Sequence, residues 1–434
     1  MKTTTIVLIT LAMVITLFCS NANADDWPQW RGLNRDAVWH ETGIIQKFTS
    51  PEIPIKWSAP VSNGYSGPSI ANGRVYLTDR VEEPAQVERV LCFSEETGAP
   101  LWTHEYPCTY KGVGYPDGPR ASVTISDRRA YSLGTFGHLR CLDAESGELI
   151  WKKDPGVDYQ VPKPIWGIAA SPLLYQDLLI VQLGARPDAC IIALDRRNGN
   201  EVWRALEDNV SYSAPIITEQ AGKPVLLCWT GDNMVGLNPE TGATYWTYET
   251  PANKMIINVA TPILTGNRMF LTSFYDGSYM FRLNQDEVSV KNLWRREGRS
   301  ERQTDALHSI ISTPIFQGDY IYGVDSYGEL RCLDAETGDR IWEDQTAVPR
   351  ERWATIHMVK NADKIWMFND QGELIISTLS PEGFNEISRA KLISPTKGQL
   401  SRNQGVTWSH PAYANKHIFI RNDNELICAD LAAK

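Results

Sequence analysis

Short runs of alternating apolar and polar residues, separated by brief polar turns, recur along almost the whole chain. The clearest instance is Tyr322 to Trp342, YGVDSYGELRCLDAETGDRIW. Tyr322–Asp325 ends one strand, Glu329–Asp334 alternates toward Cys332 in a second, and Arg340–Trp342 begins a third. Asp334-Ala335-Glu336-Thr337-Gly338 joins the last two: the Asp carboxylate caps backbone N–H groups of the turn, and Gly takes the positive φ that closes a hairpin.

Imperfect copies end at Trp102 (VLCFSEETGAPLW), Trp151 (HLRCLDAESGELIW), Trp203 (CIIALDRRNGNEVW) and Trp246 (MVGLNPETGATYW), with a degenerate one at Trp294. Intervals of about 43 to 52 residues match a four-stranded propeller blade, and the short β-rich segments disfavour helical repeats. Each copy has an upstream strand beginning near a proline, as at Pro68, Pro172, Pro215, Pro262, Pro314 and Pro411. Proline lacks a ladder donor and suits the start or edge of a blade's innermost strand.

Innermost strands are expected near Gly67, Ser122, Ser171, Ala214, Thr261, Thr313, Thr355 and His410, which makes eight blades. The eighth runs out of chain after Glu425–Leu431, before an outer strand with its Trp, while an unmatched Ile55-Lys56-Trp57 stands near the other end. The expectation is an all-β, eight-bladed propeller in which the Trp57 strand completes the last blade and leaves no open edge. The seventh blade, Gly372–Ile393, has lost both the turn and the Trp and is counted on spacing alone.

Read as Leu333-Asp334-Ala335-Glu336-Thr337-Gly338 through Trp342, the repeat resembles the AxDxxTGxxxW blade signature of the pyrroloquinoline-quinone-like (PQQ-like, quinoprotein-like) propeller family. The likeness runs from Trp57 to Leu431. Members include quinoprotein alcohol dehydrogenases and the cofactor-free propeller lipoprotein of the outer-membrane assembly machinery. The opening WPQWRGLNRDAVWHETGI (Trp27–Ile44) is similar to that of secreted quinoprotein-like proteins of planctomycete-type bacteria.

Residues 1–24 read as a secretory signal: Lys2, an apolar run from Ile6 to Phe18, then Ala22-Asn23-Ala24 as the cleavage site. The apolar run is short for a membrane anchor, and Phe18 occupies the place where an acylated Cys19 needs a small residue. A periplasmic or extracellular address follows. Residues 25–50, with Trp27, Trp30 and Trp39, are expected to pack as an aromatic arm on the propeller's side or rim, and residues 51–434 to form the single propeller domain.

A net charge of −10 argues against general affinity for nucleic acid or anionic membrane. Cys92, Cys141, Cys332 and Cys428 occupy equivalent places in separate blades, too far apart to bridge, and read as small buried hydrophobes. A pair among Cys108, Cys190 and Cys228 stays open.

Chemistry is expected at the mouth of the central channel, where the loops leading into the innermost strands converge. Those loops carry Tyr65, Tyr115 to Arg120 with Asp117, Trp166, Tyr212, Asn258, His308, Trp353, His357, Trp408 and His410. Arg120 is either a fixed cation for a ligand carboxylate or is held in a salt bridge to Asp117 or a neighbouring loop. Trp166 and Trp408 either stack on a planar ligand or pack between blades, and His308 and His410 are either bases or metal ligands or hydrogen-bonded structure. Asp232, Asp276, Asp325 and Asp370 lie on a second set of turns that favour Asp for backbone reasons.

The favoured reading is a monomeric binding or scaffold module that grips an exported protein, a peptide, a glycan or a small molecule. The first alternative is a PQQ-dependent alcohol or sugar dehydrogenase using calcium, and another is a hydrolase or lyase activity at the same central channel. For the dehydrogenase, the resemblance implies Arg120 and Trp166 at the cofactor, Asn258 with an Asp at the metal, and an Asp base. The adjacent-cysteine pair of many family dehydrogenases and a Cys-x-x-Cys-His haem motif are both missing from the sequence.

Overall fold

The computed structural model describes residues 25–154, 159–162 and 164–433, so the signal-peptide expectation for 1–24 lies outside the described residues. Among those residues no α-helix occurs, and none is therefore long and apolar enough to cross a membrane. Eight four-stranded antiparallel sheets form a ring, with blades 1 to 8 starting at Ser69, Thr124, Leu173, Ile216, Ile263, Ile315, Ile356 and Ala412.

The repeated turn does two jobs. In blade 6, Asp334 Oδ1 accepts the N–H groups of Glu336 and Thr337 at 2.8 and 3.0 Å, and Gly338 sits at φ +76°. Gly338 also has no side chain where the preceding blade's Trp294 lies: a Cβ there would be 3.0 Å from its ring. The same meeting occurs between Trp57 and Gly98, Trp102 and Gly147, Trp151 and Gly199, and Trp203 and Gly242. Each of these Trp indoles donates to a carbonyl of the next blade's turn, as from Trp102 to Ala144 at 3.1 Å and from Trp203 to Pro239 at 3.0 Å. The motif is thus an intra-blade turn and an inter-blade socket together. Trp246 differs, because the next turn lacks the glycine, and it donates within its own blade to Gln220.

The core is divided among the blade interfaces. One cluster joins blades 2 and 3 through Leu133, Leu139, Leu179 and Val181, and another joins blades 3 and 4 through Ile180, Ile191, Leu226 and Val235. Cys92, Cys141, Cys332 and Cys428 each stand opposite the Trp of their blade, and all seven described cysteines are free and buried.

Ile55–Pro60 pairs antiparallel with Glu425–Asp430, giving the last blade its outer strand from the N-terminal side. Blade 7 lacks the Trp, and the chain from Phe48 to Ile53 covers its outer edge: Phe48 donates to Ser388 Oγ at 2.9 Å and Ile53 to the Lys391 carbonyl at 3.0 Å.

The arm departs from the expected position on the side or rim. Only its later part runs there. Residues 27–39 cross one end of the channel axis, touching blade after blade. Trp27 pairs with Ile70, the Pro28 carbonyl accepts from Ile125 at 2.8 Å, and Arg35 donates to the Ser171 and Pro172 carbonyls at 2.9 and 2.8 Å. Trp30 Nε1 donates to Thr261 Oγ1 at 2.8 Å, and Trp39 packs against Trp366 and Tyr413. Docking there pairs the arm's backbone and buries the Trp27 and Trp39 indoles almost completely.

Candidate functional site

With one end of the channel covered, the other is a blind cavity of about 1030 Å³ including its open mouth, to which the loops of all eight blades contribute. Six aromatic side chains, each from a different leading loop, form most of its wall: Tyr65, Tyr115, Trp166, Tyr212, Trp353 and Trp408. Trp30 forms part of the floor, its ring 4.4 Å edge-on from His410. Blades 5 and 6 add Val259, Ile310 and Ile311.

Tyr115 stands at the centre of this array. Its ring centroid is 6.0 Å from Trp166, 6.2 Å from Trp353 and 5.9 Å from Trp408. It is held in the left-handed region, at φ +53°, in a loop that also needs Gly112 at φ +72° and Gly118 at φ +136°. The clamp is Arg120, whose guanidinium donates to the carbonyls of Gly114, Tyr115 and Gly118 and to Thr135 Oγ1. Arg120 lines the cavity and makes no salt bridge to Asp117. Its guanidinium is engaged with carbonyl dipoles of its own loop and with the ring of Tyr65, 4.9 Å away, and acts on Asp117 only through space. Asp117 accepts instead from Asn63 Nδ2 at 3.2 Å and the Tyr65 hydroxyl at 3.1 Å, and burial raises its carboxyl above the ordinary range.

Trp166 lies 5.4 Å from Tyr212, whose hydroxyl accepts the Trp166 N–H. Both Trp166 and Trp408 therefore pack between loops and face the cavity. Trp353 and Trp408 each have a buried indole N–H without a protein acceptor. His357 and His410 sit deeper, ring centroids 6.0 Å apart. His357 Nε2 bonds the Trp408 carbonyl at 2.9 Å and His410 Nε2 bonds Ser122 Oγ at 2.9 Å.

Asn258 and His308 are wall braces outside the cavity lining. Asn258 Nδ2 donates to the Thr230 carbonyl at 2.9 Å, and its own carbonyl accepts the Tyr212 N–H. Both nitrogens of His308 are used: Gly298 donates to Nε2 at 3.1 Å and Nδ1 bonds the Phe274 carbonyl at 3.1 Å. The second-turn carboxylates are tied down in the same way, Asp325 by Thr304, His308 and Arg331 and Asp370 by Arg402. Trp30 in the floor and Val259, Ile310 and Ile311 in the wall are lining residues that sequence reasoning missed, and Trp30 is the largest of them. Its signal was the aromatic density of WPQWRG, but nothing local said that the segment reaches the axis.

Burial holds His357 down to about 4, with the Arg31 charge adding and the Trp408 carbonyl opposing; burial also holds His410 well below the usual histidine range. Both are neutral in the folded protein at pH 7. An unfolded histidine protonates near 6.5, so stability present above that pH is lost as pH falls toward 4. The His357 share between pH 7 and pH 5 is on the order of 2 kcal/mol. Buried acids such as Asp117, with raised values, act oppositely, so the check is a difference: urea unfolding at both pH values, with His357→Gln losing that much of the wild-type pH slope.

A quinone-linked calcium ion requires six to eight oxygen ligands, carboxylates among them. The cavity wall offers Arg120, Ser171, Thr261, His357 and His410 as its polar side chains beside the Tyr hydroxyls and Trp indoles. Asn258 is turned into the wall. This donor set does not fit calcium.

Residues 86–344 match the family profile described as outer membrane protein assembly factor BamB. The chain belongs to this BamB-type, PQQ-like propeller family. BamB of Moranella endobia is 22% identical over 279 residues, 62% of this chain and 67% of that protein. BamB of Yersinia pestis is 22% identical over 282 residues, 63% of this chain and 65% of that protein, and BamB of Burkholderia pseudomallei is aligned over 56% of its length. Among solved structures, BamB from Moraxella catarrhalis superposes with a TM-score of 0.59 at 16% identity, over 87% of this chain and 97% of that one. The quinohemoprotein alcohol dehydrogenase of Comamonas testosteroni gives 0.65 at 12% identity, over 94% and 81%. At such identities the superpositions establish the fold alone.

Proposed function

We propose that this BamB-type propeller is an exported, monomeric binding module that holds a polypeptide segment at the channel mouth, seating a bulky apolar side chain among the aromatic rings. The observation that carries this reading is the convergence of six aromatic side chains from six leading loops on one blind cavity. Such a site supplies large, stiff contact area at low entropic cost. Its one lining cation, Arg120, and its two imidazoles are engaged with the protein's own carbonyls and hydroxyls, which favours recognition by shape over reaction. Family membership supports a protein partner, since the relatives are named as assembly factors for outer membrane proteins. The N-terminal leader pattern supports a periplasmic or extracellular address.

The test is tryptophan fluorescence of the mature protein titrated with short peptides carrying a central Trp, Phe or Leu, with serine-only peptides, with oligosaccharides, and with PQQ plus calcium. A saturable change is expected with the apolar peptides and not with serine. Trp353→Ala or Trp408→Ala is expected to weaken it about 30-fold, the loss typical of a central aromatic anchor. A response to sugars alone overturns the polypeptide assignment, and visible quinone absorbance retained on the protein overturns the binding-module reading itself.

A further inference from the structure

A second constellation lies away from the cavity, between blades 1 and 2. Glu88 comes from the strand Val87–Ser94 of blade 1, Cys108 follows the outer strand Pro100–Pro107, and His138 sits in the blade 2 turn before Leu139–Asp143. One donor atom from each lies within 4.8 Å of the other two, with Cys108 Sγ 3.9 Å from His138 Nδ1. Glu88 and Cys108 are 1% and 3% exposed, whereas His138 is partly open to solvent.

We propose that Glu88, Cys108 and His138 form a binding site for one zinc-class divalent metal ion. Four observations carry the assignment. Carboxylate, thiolate and imidazole together are the borderline donor set that zinc prefers, and unlike the oxygen sets of calcium or magnesium. With zinc–sulfur and zinc–nitrogen bonds of about 2.3 and 2.0 Å, a tetrahedral site has a sulfur–nitrogen edge of roughly 3.6 Å. The observed 3.9 Å is a few tenths longer and needs only side-chain adjustment. Glu88 is already oriented, taking hydrogen bonds from the Tyr106 hydroxyl at 2.6 Å, the Thr135 N–H at 3.0 Å and the Tyr110 hydroxyl. Those bonds use three of the roughly four lone-pair directions of a carboxylate, and the fourth takes the Cys108 thiol, whose proton the metal replaces. Finally, the backbone makes room: a Cβ on Gly134 would lie 2.2 Å from Glu88 Oε2.

The charges are compatible. Arg80 and Arg140 stack on Tyr110 and Tyr106, at 4.2 and 4.3 Å, but each is paired with its own carboxylate, Glu82 or Asp154, at 2.7 Å. Glu88 and a Cys108 thiolate then balance a dication, and coordination releases the single thiol proton to solvent. The three ligands leave a fourth position for water, reached past His138. Bound there, the ion ties blade 1 to blade 2 at the root of the loop that carries Tyr115 and Arg120.

The experiment uses the mature protein, chelator-treated and dialysed with its thiols reduced, titrated with Co²⁺. Wild type is expected to develop a thiolate-to-cobalt charge-transfer band that saturates at one equivalent and is displaced by Zn²⁺. Cys108→Ser should lose the band. His138→Gln, at a partly exposed position that tolerates the change, should weaken cobalt binding by more than about tenfold, since even outer-shell partners of metal ligands are worth that much. Cys428→Ser, another buried thiol, should leave the titration unchanged. Absence of the band in wild type, or its persistence in Cys108→Ser, overturns the site.

Discussion

Replacing Trp57 by alanine is expected to lower the unfolding free energy by about 3–5 kcal/mol, the range for deleting a large buried aromatic. Trp57 is 8% exposed, packs 6.0 Å from Phe419, covers Gly98 of blade 1 and donates to the Glu95 carbonyl at 2.8 Å. Its strand is the outer strand of blade 8, supplied from the N-terminal side, so the same residue joins the two ends of the ring. Two controls separate these contributions. Trp57→Phe keeps most of the apolar contact and loses one hydrogen bond, for about 1 kcal/mol beyond the lost area. Trp246→Ala leaves a comparable cavity, but its indole bonds within its own blade. In a ring of repeats stabilised by neighbour contacts, opening the seam releases the terminal blades first. Urea unfolding of Trp57→Ala should therefore broaden or split, whereas Trp246→Ala should shift as one transition. A Trp57→Ala midpoint close to wild type would show that the seam does not hold the ring.

Gly67→Ala should be nearly as damaging, at about 3 kcal/mol, although it adds one methyl group. A Cβ there would lie 2.0 Å from His410 Nδ1 and 2.3 Å from the His410 carbonyl oxygen. The imidazole is able to swing aside, but the carbonyl belongs to the backbone, so the inner strands of blades 1 and 8 must part. Gly73→Ala is the matched control: nothing lies within 4 Å, and its cost comes from φ +73° alone, about 1 kcal/mol. Equal losses for the two would mean that conformation, and not space, sets the penalty. Because His410 is a cavity wall bonded to Ser122, Gly67→Ala should also alter the near-ultraviolet signal of Trp30, whose ring meets His410 edge-on.

Much of the ring was legible because its signals are local. The Asp-to-N–H bonds of the turn span two and three residues, and the positive φ of Gly338 belongs to the same few positions. Counting innermost strands gave eight blades and an unmatched strand at Trp57, and the pairing of Ile55–Pro60 with Glu425–Asp430 is what that count requires. The loops rich in aromatic residues also pointed toward the channel mouth. Tyr65, Arg120, Trp166, Tyr212, Trp353, His357, Trp408 and His410 all line the cavity, while Asp117 supports Tyr65 from behind and Asn258 and His308 face into the wall.

What the sequence determined by itself was the repeat, its turn chemistry and the way the ends meet, since each rests on neighbours a few residues apart or on counting. Tertiary structure alone decided what meets at the axis and at the blade seams. Trp30 reaches Thr261 across 231 residues, Arg120 closes on its own loop in preference to Asp117, and Glu88, Cys108 and His138 converge from two blades. Those choices follow from which buried donors and acceptors the closed ring leaves unsatisfied, and a ring presents them only once every blade is in place.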